Sequence, residues 1–297
     1  DADPGSFNVA VSKTLALDAS ASLDQEGSAL SYSWVVNPSS QASLTAQNTS
    51  STDVSFAKPG LYKISVTGTD VVLQESTLTR EAAVYAASGW SSFSTPLLES
   101  YWSLENLVVR NGGTPNAWYS LDDRPGRLTL KLEGENALLL TQLSPQHPMI
   151  WRDLPPTTDW SFHTDIELAT LQQGDFMVGL IVETEEAATT RYVFGMEDGD
   201  FISVKRAQGG SYLSLASVSW NNGKATIRVR RAGANLHFDY RGEPGQWFTI
   251  HTQPLSIGTQ ASQGGLFAAT DVSEPVRFEF DYAMLVDPEA TTDALEA

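Results

Sequence analysis

The sequence predicts an all-β protein built as two sandwiches, one small and one large. Three observations predict it. From Trp160 to Leu168, Phe162, Thr164, Ile166 and Leu168 fall on one parity and His163, Asp165 and Glu167 on the other. That is the pattern of a strand with one face in a core and one in water. Runs of this kind recur at short spacing with turn residues between them, as at Glu197-Asp198-Gly199-Asp200 between Arg191–Met196 and Phe201–Lys205. Asp-Gly between two such runs is a hairpin signal. No segment carries a convincing helical period.

Composition sets the outer limits. The 297 residues leave room for two domains, and 8 Trp, 9 Tyr and 12 Phe supply ample core. No apolar run approaches the roughly 18 residues of a membrane span. The formal charge is −18, with 18 basic against 36 acidic residues. This disfavours nucleic acid and anionic surfaces, which ask for Lys and Arg. It suits a secreted, polar protein. With no cysteine there is no disulfide, Cys–zinc site or thiol nucleophile. A cysteine-free β protein is compatible with a bacterial exterior. The first residue is Asp1, so the chain is expected to start within a longer protein or after processing.

In chain order, residues 1–87 read as one small β domain. Phe7–Leu17 alternates weakly. Asp18 to Gly27 is turn chemistry, with Asp and Ser side chains bonding nearby amides. Leu30–Val36 is a strand with Tyr32 and Trp34 on one parity. Asp53–Ala57 and Leu61–Thr67 flank a Pro59-Gly60 turn. Short strands at this spacing indicate a sandwich, with Trp34 in its core. Asp18, Asp24 and Glu26 are read as turn-stabilising carboxylates, with calcium ligation as the alternative.

Four elements in order carry a resemblance here. They are Leu17-Asp18 with Ser20, Ser22, Asp24 and Gly27; Leu30, Tyr32 and Trp34; Phe56 with Pro59-Gly60 and Tyr62; and Val66 with Asp70. This pattern resembles a PKD domain, which implies an immunoglobulin-like spacer of the kind found in secreted bacterial enzymes.

Residues 88–99 read as a Ser-rich linker. Its Trp90 and Phe93 suggest docking against a domain rather than a free tether. Residues 100–287 read as the large sandwich, and 288–297 as an acidic, flexible tail. Within the large unit, Asn111–Asn116 is a loop and Arg127–Leu132 an alternating strand. Leu138–Gln142 is an apolar run. Trp151 to Gly199 forms a central meander. Ser211–Trp220 is expected to make a hairpin across Asn221-Asn222-Gly223. Ala225–Arg231, Leu236–Tyr240, Trp247–Ile250, Gly264–Ala269 and Val276–Leu285 complete about a dozen strands.

Tyr119-Ser120-Leu121, Arg124-Pro125-Gly126 with Leu128 and Leu130, Trp151-Arg152 ahead of Phe162, Thr164 and Ile166, Gly179–Val182, Tyr192, Gly265-Leu266-Phe267 and Phe278 with Phe280-Asp281-Tyr282 occur in order. This series resembles a concanavalin A-like jelly roll of the laminin-G and glucanase type. Within it, the series is similar to the β-sandwich C-terminal to family 43 glycoside hydrolases. The resemblance implies a module active on carbohydrate. It also implies a structural calcium, with Asp281 as a ligand beside backbone carbonyls near the domain start; a strand-end Asp making turn hydrogen bonds is the alternative. The Glu-x-Asp-x-x-Glu motif of catalytic laminarinase-type jelly rolls is absent.

Two kinds of chemistry remain to be weighed. Carboxylates at i and i+2, such as Asp165 and Glu167, lie about 6.5–7 Å apart along a strand, near the spacing of a retaining glycosidase. The bland alternative is a solvated face answered by Arg228 and Arg230 across the sheet. Sugar binding instead needs an exposed ring for the apolar face of a pyranose and polar groups for its hydroxyls. The candidate rings are Trp118, Tyr119, Trp151, Trp220 and Trp247, and the candidate hydroxyl partners are Arg152, Arg191, His237 and Asp239. The sequence therefore reads as a non-catalytic, polysaccharide-binding part of a secreted bacterial protein, monomeric, with a catalytic domain of the same parent as a partner. A jelly-roll hydrolase or lyase and an adhesive module are the alternatives.

Overall fold

A computed structural model describes residues 6–11, 13–24, 27–58, 60–85, 90–94, 97–99, 101–105, 108–109, 117–132, 148–155, 159–169, 176–185, 189–208, 211–242, 246–256, 258–270 and 275–286. The expected loop at 111–116, the run at 138–142, Glu26 and the tail from 288 lie outside them. The described residues are mostly strand with almost no helix, in two compact units whose main division falls between residues 89 and 90.

The first unit holds β1 (Ser6–Ala10), β2 (Thr14–Asp18), β3 (Ser31–Asn37), β4 (Ala42–Leu44), β5 (Ser51–Phe56), β6 (Gly60–Thr69) and β7 (Glu75–Tyr85). One sheet runs β1-β7-β6-β3, with β1 parallel to β7, and the other β2-β5-β4. Alternation decides the packing: Val54 and Phe56 of β5 face Tyr62, Ile64, Ala82 and Val84. Trp34 is buried, as expected, and its indole N–H donates to the Thr49 carbonyl at 2.8 Å. Asp18 and Asp24 accept the backbone N–H of Ser20 and Ser28, which is turn chemistry.

The second unit comprises β8 (Trp90–Ser91), β9 (Ser103–Glu105), β10 (Val108–Val109), β11 (Ala117–Ser120), β12 (Leu128–Leu132), β13 (Met149–Asp153), β14 (Trp160–Leu168), β15 (Phe176–Glu185), β16 (Thr189–Glu197), β17 (Phe201–Gln208), β18 (Ser211–Ser219), β19 (Lys224–Ala232), β20 (Asn235–Arg241), β21 (Trp247–Pro254), β22 (Ala261–Thr270) and β23 (Val276–Val286). A nine-stranded sheet runs β10-β11-β12-β23-β14-β19-β20-β21, with β8 added on β23. A seven-stranded sheet runs β18-β17-β16-β15-β22-β13-β9. One apolar core lies between them, including Phe162, Ile166, Phe176, Phe194, Phe238 and Phe280.

Two expectations change. The stretch from Trp151 to Gly199 is not one meander: β14 belongs to the nine-stranded sheet, while β13 and β15 belong to the other. The Asn221-Asn222-Gly223 turn makes no hairpin, because β18 pairs with β17 and β19 with β14. Turn residues report that the chain bends, not which sheet it enters. The stretch from residue 90, read as a linker with docking aromatics, lies against the large sandwich. Trp90-Ser91 pairs with β23, and Phe93 is buried in the large core. The Asp198-Gly199 hairpin forms as read, with both residues at positive φ, 56° and 77°.

Candidate functional site

The nine residues expected to meet sugar disperse to four places. Trp118, His237 and Asp239 point from the outer face of the nine-stranded sheet, opposite in parity to the core residues Ala117, Leu236 and Phe238. In strand order β11 and β20 are five steps apart, about 24 Å at ~4.8 Å per step. Trp118 is 2% exposed with the Lys131 ammonium 5.4 Å from its ring, so its faces are covered. Trp151 and Arg191 lie on the outer face of the seven-stranded sheet. There the guanidinium stands 5.4 Å from the indole centroid. Arg191 binds Glu183 at 2.8 Å, and the Trp151 N–H donates to Glu105 at 2.8 Å. This ring too is buried, among Met149, Met177 and Phe267.

Arg152 and Tyr119 face inward. Arg152 shares the parity of the core residues Ile150 and Leu154, and its guanidinium stacks over Tyr101 at 4.6 Å and Trp102 at 5.5 Å. Burial lowers its pKa. Tyr119 packs half-buried against the core, and burial raises its hydroxyl pKa.

The outer face of β14, β19 and β20 was expected in solvent but is largely buried. His163, Arg228 and Asp239 are 2%, 3% and 1% exposed. Asp239 anchors this face. Its Oδ2 takes Nε of both Arg228 and Arg230 at 2.8 Å, and its Oδ1 accepts the Thr249 hydroxyl at 2.7 Å. Burial pushes its carboxyl up, but the two guanidinium groups and these hydrogen bonds outweigh it and hold the pKa down to about 2. Trp247 covers the network. Arg228 lies 4.1 Å and Arg241 5.6 Å from its ring, and His163 meets it edge-on at 5.6 Å. Burial first, then Arg228, keeps the His163 imidazole well below its ordinary pKa and so neutral. His163 Nε2 is hydrogen-bonded to Ser161 Oγ. His237 stands aside, its Nδ1 3.1 Å from the Thr252 hydroxyl.

The carboxylates of β14 do not answer Arg228 and Arg230, which Asp239 takes. Glu167 instead meets Arg127 at 2.7 Å, Lys224 at 3.3 Å and Arg124 at 3.4 Å. Burial raises its pKa, but these cations outweigh it and leave it lowered. Asp165 is shifted up, chiefly by burial, with hydrogen bonds to Thr226 and Tyr282 opposing. Asp281 faces the Arg127 guanidinium at 3.9 Å. Among the described residues no group of three His, Asp or Glu converges as a metal site.

Trp220 is an expected ring that remains partly accessible. It belongs to a row that the sequence reading missed. β18 and β21 are edge strands of the two sheets and lie against each other. Over this joint Trp220 meets Tyr240 edge-on at 5.6 Å, and Tyr240 stacks on Phe248 at 5.7 Å. Trp220 and Tyr240 are half-buried and Phe248 is 41% exposed. The Trp220 N–H donates to the Lys224 carbonyl at 2.9 Å, which fixes the indole. Asn221 and Asn222 follow it, both exposed. A signal was present: Tyr240 continues the apolar parity of Leu236 and Phe238 toward the end of its strand.

A family model described as K319L-like, PKD domain, matches residues 5–81. This segment is a PKD-like domain. It corresponds to the first unit, as the resemblance in its sequence implied. None of the curated proteins matches the chain. Among solved structures, the GH43 BlXynB protein from Bacillus licheniformis is similar at TM-score 0.53 and 14% identity, covering 77% of this chain and 51% of that one. A xylan beta-1,4-xylosidase from Bacillus halodurans C-125 gives TM-score 0.49 and 15% identity, over 90% of this chain and 52% of that one. LamAcat from Zobellia galactanivorans gives 0.46 and 10%, over 67% and 96%. The chain thus spans about half the length of the first two structures. The first likeness shows the fold: a PKD-like domain is followed by a β-sandwich of the type found in that protein.

Proposed function

We propose that this chain is the non-catalytic, carbohydrate-binding portion of a secreted bacterial protein that degrades polysaccharide. The large sandwich binds the glycan, and the PKD-like domain spaces it from a catalytic domain of the same parent. The observation that carries this reading is the row Trp220–Tyr240–Phe248. Rings about 5.6 Å apart with exposed edges offer successive apolar surfaces to a sugar chain, and Asn221 and Asn222 offer amides for its hydroxyls. Binding of this kind raises the local concentration of the attached catalyst at its substrate. The similarity to the GH43 BlXynB protein supports the setting through fold alone.

Affinity electrophoresis through gels containing xylan, laminarin or galactan tests it. The chain is expected to be retarded in at least one gel, and Trp220→Ala or Phe248→Ala to weaken that retardation about tenfold. Unchanged migration of wild type in all of them would remove the reading.

One arrangement favours a second reading, a hydrolase. Asp165 is shifted toward the protonated acid and Glu167 toward the carboxylate, the polarity of an acid and nucleophile pair. Against it, Glu167 is surrounded by three cations, which oppose nucleophilic attack. Release of reducing sugar that Asp165→Asn abolishes would establish the hydrolase instead.

A further inference from the structure

The PKD-like domain contains a groove of about 610 Å³ that no glycan reading uses. It arises because the inner face of the β1-β7-β6-β3 sheet runs past the end of the smaller sheet. Cross-strand register places Tyr32 opposite Gly68 and Val66 opposite Leu78 on this uncovered floor. At Gly68 an added Cβ would meet only Leu30, at 4.0 Å, so the middle of the floor stands open. Leu23 and Leu78 line it at 91% and 51% exposure. Beside it, the β6–β7 tip holds Val71, Val72 and Leu73 out at 70%, 63% and 81%. Five exposed aliphatic side chains around one groove exceed the scattered singletons of an ordinary surface and mark a contact site.

The rim identifies what fits. Asp18 and Asp24 stand on one side and Asp70 and Glu75 on the other, against the single guanidinium of Arg80. Branched aliphatic walls pack on apolar side chains rather than on a pyranose, which seeks flat rings. The carboxylates favour a cation. We propose that this groove docks an extended segment of a partner protein in which leucine-like side chains are flanked by Lys or Arg. The PKD-like domain is then a recognition module as well as a spacer. This proposal is independent of the glycan site, which lies in the other unit.

The test uses the full chain and fluorescence anisotropy with three labelled synthetic peptides: alternating Lys and Leu, alternating Glu and Leu, and alternating Lys and Ser. At physiological ionic strength the Lys/Leu peptide is expected to bind at least about tenfold more tightly than either control. The double variant Glu75→Lys with Leu78→Lys changes only exposed positions of β7, so its fold is verified by its near-ultraviolet circular dichroism. It should lose the Lys/Leu peptide by about the same factor. The proposal is overturned by equal binding to the double variant, which would mean diffuse attraction to an acidic chain. Equal binding of the Glu/Leu or Lys/Ser peptide, or no binding at all, overturns it too. Displacement of the peptide by xylohexaose would overturn it in favour of a glycan subsite. Peptide anisotropy scores this groove and glycan gels score the sandwich edge, so either reading can fail alone.

Discussion

Asp239 holds two arginines and a threonine at once inside a sheet face that water barely reaches. Removing its charge strands two guanidinium groups together. Asp239→Asn is expected to cost about 3 kcal/mol, measured as a lowered urea midpoint at constant m-value. The same network sets the acid response. The folded pKa of Asp239 lies below its unfolded value, so its stabilisation is full above about pH 3.9 and is lost as pH falls toward about 2. His163 is a base whose folded pKa is also depressed. Its contribution is full above about pH 6.5 and declines as pH drops below that, because the unfolded chain takes up the proton first. Thermal melts from neutral to mildly acidic pH should therefore show a falling melting temperature, with a shallower slope in His163→Gln. An unchanged slope would refute the assignment. The parity of His163, Asp165 and Glu167 was legible in the sequence. The burial of His163 and the cations around Glu167 were not, since alternation separates polar from apolar faces but cannot tell a solvated face from one covered or neutralised by Arg124, Arg127 and Lys224.

At the level of elements, β15 and β16 pair with Gly179 directly opposite Gly195. A Cβ on Gly179 would sit 2.1 Å from the Phe194 carbonyl oxygen, and one on Gly195 1.9 Å from that of Val178. Backbone cannot yield as a flexible side chain would. Either glycine to alanine is expected to cost about 3 kcal/mol or more, read from denaturant midpoints or from loss of soluble protein. Alternation and the Asp198-Gly199 turn made these strands readable, because both signals are local. The assignment of β13 and β14 to different sheets was not readable. A sandwich alternates between its layers through connections whose residues differ little from those of a hairpin. The platform at the joined edges shares this origin. Tyr240 and Phe248 are a cross-strand pair of β20 and β21, and Trp220 reaches them only because β18 and β21 terminate their sheets on the same side.

For the molecule as a whole, the two-sandwich organisation followed from composition, turn spacing and the four PKD-like elements, all encoded in short segments. The dispersal of the expected sugar contacts did not, since each ring's exposure depends on strand order. The charge of −18 acts globally. Like charges repel more in the compact state, so raising ionic strength from low salt to about 0.15 M is expected to raise the melting temperature. A decrease would mean that screened ion pairs such as Arg127–Glu167 outweigh the repulsion.

Trp247 gives the buried network an optical reporter. Its indole is bracketed by two guanidinium groups and touched edge-on by an imidazole. Its emission should therefore shift when that imidazole gains a proton. Trp247→Phe would silence this signal while leaving the other seven indoles to follow unfolding. Subtracting the two traces would separate loosening of the sheet face from collapse of the domain, without any added dye.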